Sequence, residues 1–482
     1  MLFSSLEFIF LFFPLTLLAY FQAGRSAGRD AGAEPEPGSR RAPLVVLLLA
    51  SLLFYAYWKV EYLALLLASL AFNYVLGEKI RARGALAARR ALLVGGLLAN
   101  VGLLVLFKYY NFLGANLAAL GGPDLPRLGW ELPLGISFFT FVQIAYLVDC
   151  WKGKVPESGP LEYSLFVTYF PHLIAGPIVH HSDLMPQFFG PRVRRFFAEN
   201  FARGLFLFAL GLVKKTLIAD NLAGSVAIVF DDAARPSLFE GWLGALSYTF
   251  QLYFDFSGYS DMAMGASVMM NINLPPNFDS PYRAAHITDF WRRWHMTLSR
   301  WLRDYVYIPL GGNRGGRGAT YRNLFLTFLV GGIWHGAGYT FLLWGAAHGL
   351  ALVVHKEYQR RGGRLPIGVA VGLTFLFNIC CWVLFRARSL SDAGKVFSAM
   401  LGRNGLRLDD FFGFPNFNQL FPFTLFFCGL AAVLVFLAPN SLELSRRFRA
   451  DIRHGLALAL LLIAGVISAN TVISQEFLYF DF

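Results

Sequence analysis

The sequence predicts an all-α polytopic membrane protein, and three observations carry that prediction. Of its 482 residues 56% are hydrophobic and only 15% charged, against roughly 45–50% and about 25% in ordinary soluble domains. Mean hydropathy is +0.50. Apolar windows of about 16 to 25 residues recur along the whole length, matching a hydrocarbon core about 30 Å thick. The chain opens on MLFSSLEFIFLFFPLTLLAYF. It has no basic n-region, short apolar run and small-residue cleavage site, so it reads as a retained first span rather than a signal peptide.

The first four predicted spans are Leu6 to Phe21, Leu44 to Trp58, Tyr62 to Leu76 and Ala91 to Phe107. The loops between them set the topology. Gly24 to Ala42 carries Arg25, Arg29, Arg40 and Arg41, and Glu78 to Arg90 carries five Lys or Arg, whereas Trp58 to Glu61 carries one. By the positive-inside rule the two basic loops are cytoplasmic and the N-terminus lies outside. Leu132 to Val148, Tyr163 to Val179, Phe201 to Ile218 and Leu238 to Tyr253 follow as apolar runs. After a long polar segment come Asn323 to Trp334, Thr340 to Val354, Val369 to Phe385, Leu420 to Ala438 and Gly455 to Ala469. The net charge of +12 falls in these short loops. Membrane topology and lipid contact explain it without a nucleic-acid partner. Cys150, Cys380, Cys381 and Cys428 lack metal-ligand spacing and read as buried packing.

The polar segment, Asn271 to Arg322, is the most informative. At 100° per residue, TDFWRRWHMTLSRWLRDY (residues 288–305) gathers Arg292, Arg293, Arg300 and Arg303 on one arc. Trp291, Trp294, His295, Leu298, Trp301, Leu302 and Tyr305 fall on the other. The pattern predicts one amphipathic helix, N-capped by Thr288 and lying in the membrane interface. His295, on the aromatic edge, reads either as a contact to protein or ligand or as an ordinary interfacial histidine. IPLGGNRGGRG (residues 308–318) follows, a loop whose amides, with Arg314 and Arg317, could hold a phosphate. It has no P-loop context. Arg283 through Arg322 holds eight arginines and no lysine, which places it in the cytoplasm, where coenzyme A thioesters are found.

GGIWHGAGYTF (residues 331–341) sets His335 among glycines. Asn323 to Ala337 is about 22 Å long as a helix, too short for a core of about 30 Å. The run is therefore expected to stop partway, with His335 about 18 Å deep. An ionisable side chain at that depth is functional by default. Imidazole is the side chain suited to take a proton from a hydroxyl near neutral pH, so if an acyl thioester reached it from the cytoplasmic side, His335 could act as general base for O-acylation. No G-x-S-x-G elbow accompanies it, and the histidines form no HExxH or compact metal cluster. His172 reads as packing or a helix-end hydrogen bond. Asp255, Ser257, Ser260 and Asp261 in LYFDFSGYSDMAMG read as satisfying a helix end or pairing with arginines; proton relay is the alternative.

FPHLIAGPI, LYFDFSGYSDMAMG, SPYRAAHITDFWRRWHMTLSRWLRDYVYIPLGGNR and GGIWHGAGYTFLLWGAAHG, in that order, resemble the membrane-bound O-acyltransferase family. The branch is that of bacterial alginate O-acetylation and its exopolysaccharide and peptidoglycan relatives. MLFSSLEFIFLFFPL, LPLGISFFTF and the closing FLYFDF extend the likeness over most of the chain. The resemblance implies a ring of about 11–13 transmembrane or re-entrant helices around a central tunnel. Residues 1–482 would form one domain: N-terminal helices (1–130), a catalytic core (131–355) with cytoplasmic amphipathic segment 279–322, and C-terminal helices (356–482). It implies His335 and His295 as catalytic residues, acetyl-CoA as acyl donor and a polysaccharide acceptor. An SGNH-type acetyltransferase outside the bacterial cytoplasmic membrane would be the partner. Arg292, Arg293, Arg314 and Arg317 are the candidates for the donor phosphates. Where relatives commonly read FTFQ, Val142 precedes Gln143, so Gln143 inherits no role. D-alanyl transfer to teichoic acid from an acyl-carrier protein, and a proton-coupled transporter, are the alternatives.

Overall fold

A buried helix organises the molecule. Leu238–Met269 runs for 32 residues, and every residue from Ser247 to Ser267 is buried, the signature of a helix surrounded on all sides. Ser237 starts it with a capping box: its hydroxyl accepts from the Glu240 amide, and the Glu240 carboxylate accepts from the Ser237 amide (2.7 Å). The computed structural model describes residues 1–26, 41–82, 84–190, 195–405, 421–471 and 477–481, and among them there are helices and no strand. Arg29, Arg40 and Arg83 of the predicted basic loops, Leu420 and Phe482 lie outside the described residues.

Helices Ala198–Val213, Ile367–Arg386, Leu390–Met400 and Phe421–Phe436 pack around Leu238–Met269. The first crosses it closely. A Cβ added to Gly211 would stand 2.5 Å from the Gly258 carbonyl, and one added to Gly265 2.6 Å from that of Gly204, the small-residue contact by which membrane helices approach. Outward faces are apolar: Ile452–Thr471 buries only Gly465 and Ser468 and exposes Leu456, Leu460, Ile463 and Ile467. Five helices, Glu7–Arg25, Val60–Arg81, Leu86–Ala119, Ile367–Arg386 and Ile452–Thr471, are long and apolar enough to cross a bilayer. A sixth candidate is the pair Pro422–Phe436 and Ser441–Arg447, bent by 58°. This is a multi-pass all-α membrane protein.

Three predicted elements differ. Tyr163 to Val179 is not one span: Pro160–Thr168 stops at Tyr169, Pro171 opens the one-turn helix Phe170–Leu173, and extended chain leads to His180. The predicted helix over 288–305 is two helices, Ile287–Arg293 and Met296–Leu302, and His286 rather than Thr288 is the N-cap, its Nδ1 accepting from the Asp289 amide. Its tryptophan face meets protein, not lipid: Trp301 stacks on Phe141 (centroids 3.6 Å), and Trp294 packs at a tilt against Trp382 (4.8 Å). The run ending at His335 begins at Gly316, seven residues before the predicted Asn323. At 20 residues it is about 30 Å long. Its C-terminal end turns through Gly336, Ala337 and Gly338 into Tyr339–Arg360, forming a tight hairpin in which a Cβ on Gly332 would stand 2.9 Å from the Gly345 Cα.

Candidate active site

His335 is the last residue of its helix and is 2% exposed. Gly336 follows because a Cβ there would fall 2.2 Å from the Phe341 ring. The imidazole is boxed by aromatic rings: Trp334 and Trp344 at 4.9 Å, Phe385 at 5.0 Å and Tyr479 at 5.8 Å between centroids. Its Nδ1 is buried without a hydrogen-bond partner. A buried polar atom left so costs about 1–3 kcal/mol, and such atoms persist where chemistry uses them.

His295 sits at the break between Ile287–Arg293 and Met296–Leu302, fully buried, with φ 41° and ψ 54°. Left-handed backbone is uncommon for a residue with a Cβ, and the break turns the ring inward. Asn277 holds it there. His295 Nδ1–H donates to Asn277 Oδ1 (3.3 Å), which also accepts from the Thr297 hydroxyl (2.6 Å), while the Asn277 carbonyl accepts from the Met296 amide (3.0 Å). With Nδ1 bearing the proton, Nε2 keeps a lone pair, and it is buried without a partner. Tyr479 lies 6.3 Å from the His295 ring as well, so one phenol ring stands beside both histidines. Asn277 and Tyr479 were not picked out among the candidate site residues. Nothing in the spacing of NLPPNFDS ties Asn277 to a histidine eighteen residues on. Replacing Asn277 by alanine is expected to lower turnover about tenfold by freeing the imidazole, measured as kcat beside that of the wild type.

Two cavities are lined by chain neighbours of the histidines, though by neither imidazole itself. The first, about 660 Å³, is lined by Arg292, Met296, Thr297, Arg300, Arg303 and Lys356 among others, and lies at the open end of the hairpin. The second, about 610 Å³, lies at the hairpin turn, against Ala337, Gly338, Thr340, Phe385 and Arg386. Of the four predicted phosphate contacts, Arg292 alone lines the first cavity, exposed and without an acidic partner. Arg293 pairs with Asp289 (3.0 Å), and Arg314 and Arg317 are exposed away from the lining. Arg300 and Arg303 join through the arc they share with Arg292, although Arg300 pairs with Asp183 (2.7 Å) and Arg303 with Asp304 (2.7 Å). Lys356 arrives from the far arm of the hairpin, with no local signal.

His172, Asp255 and Asp261 have partners within the helical bundle. His172 Nε2 bonds the Phe166 carbonyl (2.9 Å). Asp255 and Asp261 lie inside the central helix rather than at its end, and their partners are lysines: Lys215 for Asp255 (2.7 Å) and Lys214 for Asp261 (2.6 Å). The four cysteines are unbridged, and Cys150, Cys381 and Cys428 are buried. Gln143 Oε1 accepts from Ser69 (2.7 Å) and Asn73 (2.8 Å), joining two spans. Among the described residues no three His, Cys, Asp or Glu approach as a metal site requires.

A multi-pass helical bundle holding two buried imidazoles, each with one ring nitrogen lacking a partner, sets the class as an integral-membrane enzyme. The chain belongs to the membrane-bound O-acyltransferase family, whose pattern matches residues 133–387, the stretch holding both histidines, and it is an O-acyltransferase. It is 42% identical to a peptidoglycan O-acetyltransferase of Helicobacter pylori, covering 100% of this chain and 98% of that one. It is also 42% identical to a probable alginate O-acetylase of Pseudomonas syringae, over 85% of this chain and 77% of the other. A teichoic acid D-alanyltransferase of Bacillus subtilis is more distant, 27% identical over 47% of this chain and 60% of its own.

Proposed function

We propose that the protein takes an acetyl group from acetyl-CoA at the arginine-lined cavity and passes it toward hydroxyls of an extracytoplasmic polysaccharide, an alginate-like exopolysaccharide or peptidoglycan. It works in the bacterial cytoplasmic membrane with its N-terminus outside, beside an SGNH-type acetyltransferase that completes delivery. One observation carries this reading: two buried histidines, each with a ring nitrogen lacking a partner, stand beside one phenol ring in the core of the bundle. Near-full-length likeness to O-acetyltransferases supports acetyl over D-alanyl, because the D-alanyltransferase likeness covers less than half the chain.

The chemistry follows from the groups present. His335 removes the proton from the accepting hydroxyl, whose oxygen forms a new bond to the thioester carbonyl carbon. The carbon–sulfur bond breaks, and the proton returns to the thiolate. His295 assists: its Nδ1–H is committed to Asn277, so Nε2 can only accept, and it receives a hydrogen bond from a hydroxyl in the site. Arg292 and Lys356 meet the donor's phosphates.

The test is transfer of labelled acetyl from acetyl-CoA to saccharide by the purified protein in proteoliposomes, with and without its SGNH-type partner. Label from a D-alanyl carrier, and none from acetyl-CoA, would overturn the donor assignment. Arg292→Ala should raise the KM for acetyl-CoA about tenfold with little change in kcat, the loss of one charge-assisted contact. Arg314→Ala and Arg317→Ala should change neither.

A further inference from the structure

Lys108 is the only charged residue between Ala91 and Ala119, inside the most apolar part of the N-terminal half. A lysine in such a run ordinarily snorkels to the interface. This one turns inward. Its ammonium donates to the backbone carbonyl of Trp334 (2.6 Å) and to the Ser137 hydroxyl (3.2 Å), and it lies 5.8 Å from the Trp334 ring. The neighbouring Tyr109 hydroxyl donates to the carbonyl of Ile333. The two side chains come from a π-helical turn, Val105–Tyr109, inserted between Leu86–Leu104 and Tyr110–Ala119. Such widened turns recur at functional sites.

We propose that Lys108 and Tyr109 are positioning residues that clamp the terminal turn of Gly316–His335 and thereby fix the direction of the His335 side chain. A helix leaves its last four carbonyls without partners inside itself, and at membrane depth no bulk water satisfies them. Ile333 and Trp334 carry two of those carbonyls, immediately before His335. A cation at a helix C-terminus also opposes the negative end of the helix dipole. Ser137 ties the same ammonium to the start of Ile136–Trp151, whose Phe138 packs on Trp334 (5.6 Å). The clamp thus joins three segments around one turn. His335 makes no hydrogen bond through Nδ1 that would orient its ring, so the backbone beneath it, together with the aromatic rings that box it, sets where the imidazole points.

The inference rests on His335 as the general base, and the experiment separates the two. Acetyl-CoA turnover is measured for the wild type, Lys108→Met, Lys108→Arg, Tyr109→Phe and His335→Ala. In Lys108→Met kcat should fall about 10- to 100-fold, as small displacements of a catalytic group do, with the donor KM within about twofold. Lys108→Arg, which keeps a charged donor, should recover most of the loss, and Tyr109→Phe should lose severalfold in kcat alone. Should Lys108→Met fail to fold, Lys108→Arg and Tyr109→Phe decide the matter. Wild-type kcat in Lys108→Met overturns the clamp. So does a fall that Lys108→Arg leaves uncorrected while Tyr109→Phe stays at the wild-type rate. If His335→Ala retains turnover, it is the assignment of the base that fails.

Discussion

Replacing His335 by alanine is expected to lower acetyl transfer about 10²- to 10⁴-fold, the contribution of a positioned proton-transfer group, while the protein stays monodisperse with a melting temperature close to the wild type. The imidazole is lost without breaking a hydrogen bond at Nδ1, and the aromatic rings of Trp334, Trp344 and Phe385 remain packed around the vacated space. A residue kept for packing would behave in the opposite way, with normal turnover in whatever protein survived. His335→Gln sharpens the comparison: it fills the volume and offers hydrogen bonds but cannot act as a base near neutral pH. Its rate should match that of the alanine variant. Turnover within a few-fold of wild type in either variant would remove His335 from the chemistry. His295→Ala should also fall, but Ala must then adopt the left-handed backbone that His295 holds at φ 41°, so its loss combines chemistry with strain. His335 is therefore the cleaner test.

The burial of His335 was legible because glycines, an apolar run and an ionisable side chain coincide in eleven residues, although the helix that carries it runs for 20 residues instead of stopping short. So was the multi-pass helical character of the chain, since it follows from composition averaged over a window. What periodicity could not show is where a regular pattern is interrupted. The stretch from Thr288 to Tyr305 keeps a helical arc throughout, yet the chain breaks at His295 because Asn277, from an irregular segment, holds the ring and the following amide. Pro171 and Pro177 announced the break in the predicted 163–179 span, but a hydropathy window passes over prolines set among apolar residues. Arg314 and Arg317 looked like phosphate ligands for their type and their glycines; only tertiary placement separates them from Arg292 and from Lys356 on the other arm of the hairpin. The two aspartates of the central helix needed partners, and the sequence offered arginines nearby. The fold supplies lysines instead, from a helix that crosses at glycines.

Those lysines give the largest expected effect on stability. Lys215 lies between two carboxylates, Asp220 and Asp255, each 2.7 Å away, and all three side chains are at most 4% exposed. Replacing Lys215 by methionine preserves its length and shape but leaves two carboxylates buried without their cation. Breaking a buried pair in this way costs about 3–5 kcal/mol, so Lys215→Met should express poorly or melt well below the wild type in the same detergent. Adding Asp255→Asn and Asp220→Asn to it removes both uncompensated charges and should restore much of the loss, as uncharged replacements of buried pairs often do. If instead Asp255 served to relay protons, Lys215→Met would leave the melting temperature unchanged and shift only activity. The site is coupled to this network through the backbone: Asp255 Oδ2 accepts from the amide of Leu478 (3.0 Å), the residue before Tyr479. A variant that keeps the fold but loses that acceptor, such as Asp255→Leu with Lys215→Met and Asp220→Asn, should therefore melt nearer the wild type than Lys215→Met and still lose turnover, because the ring beside His335 and His295 is no longer held.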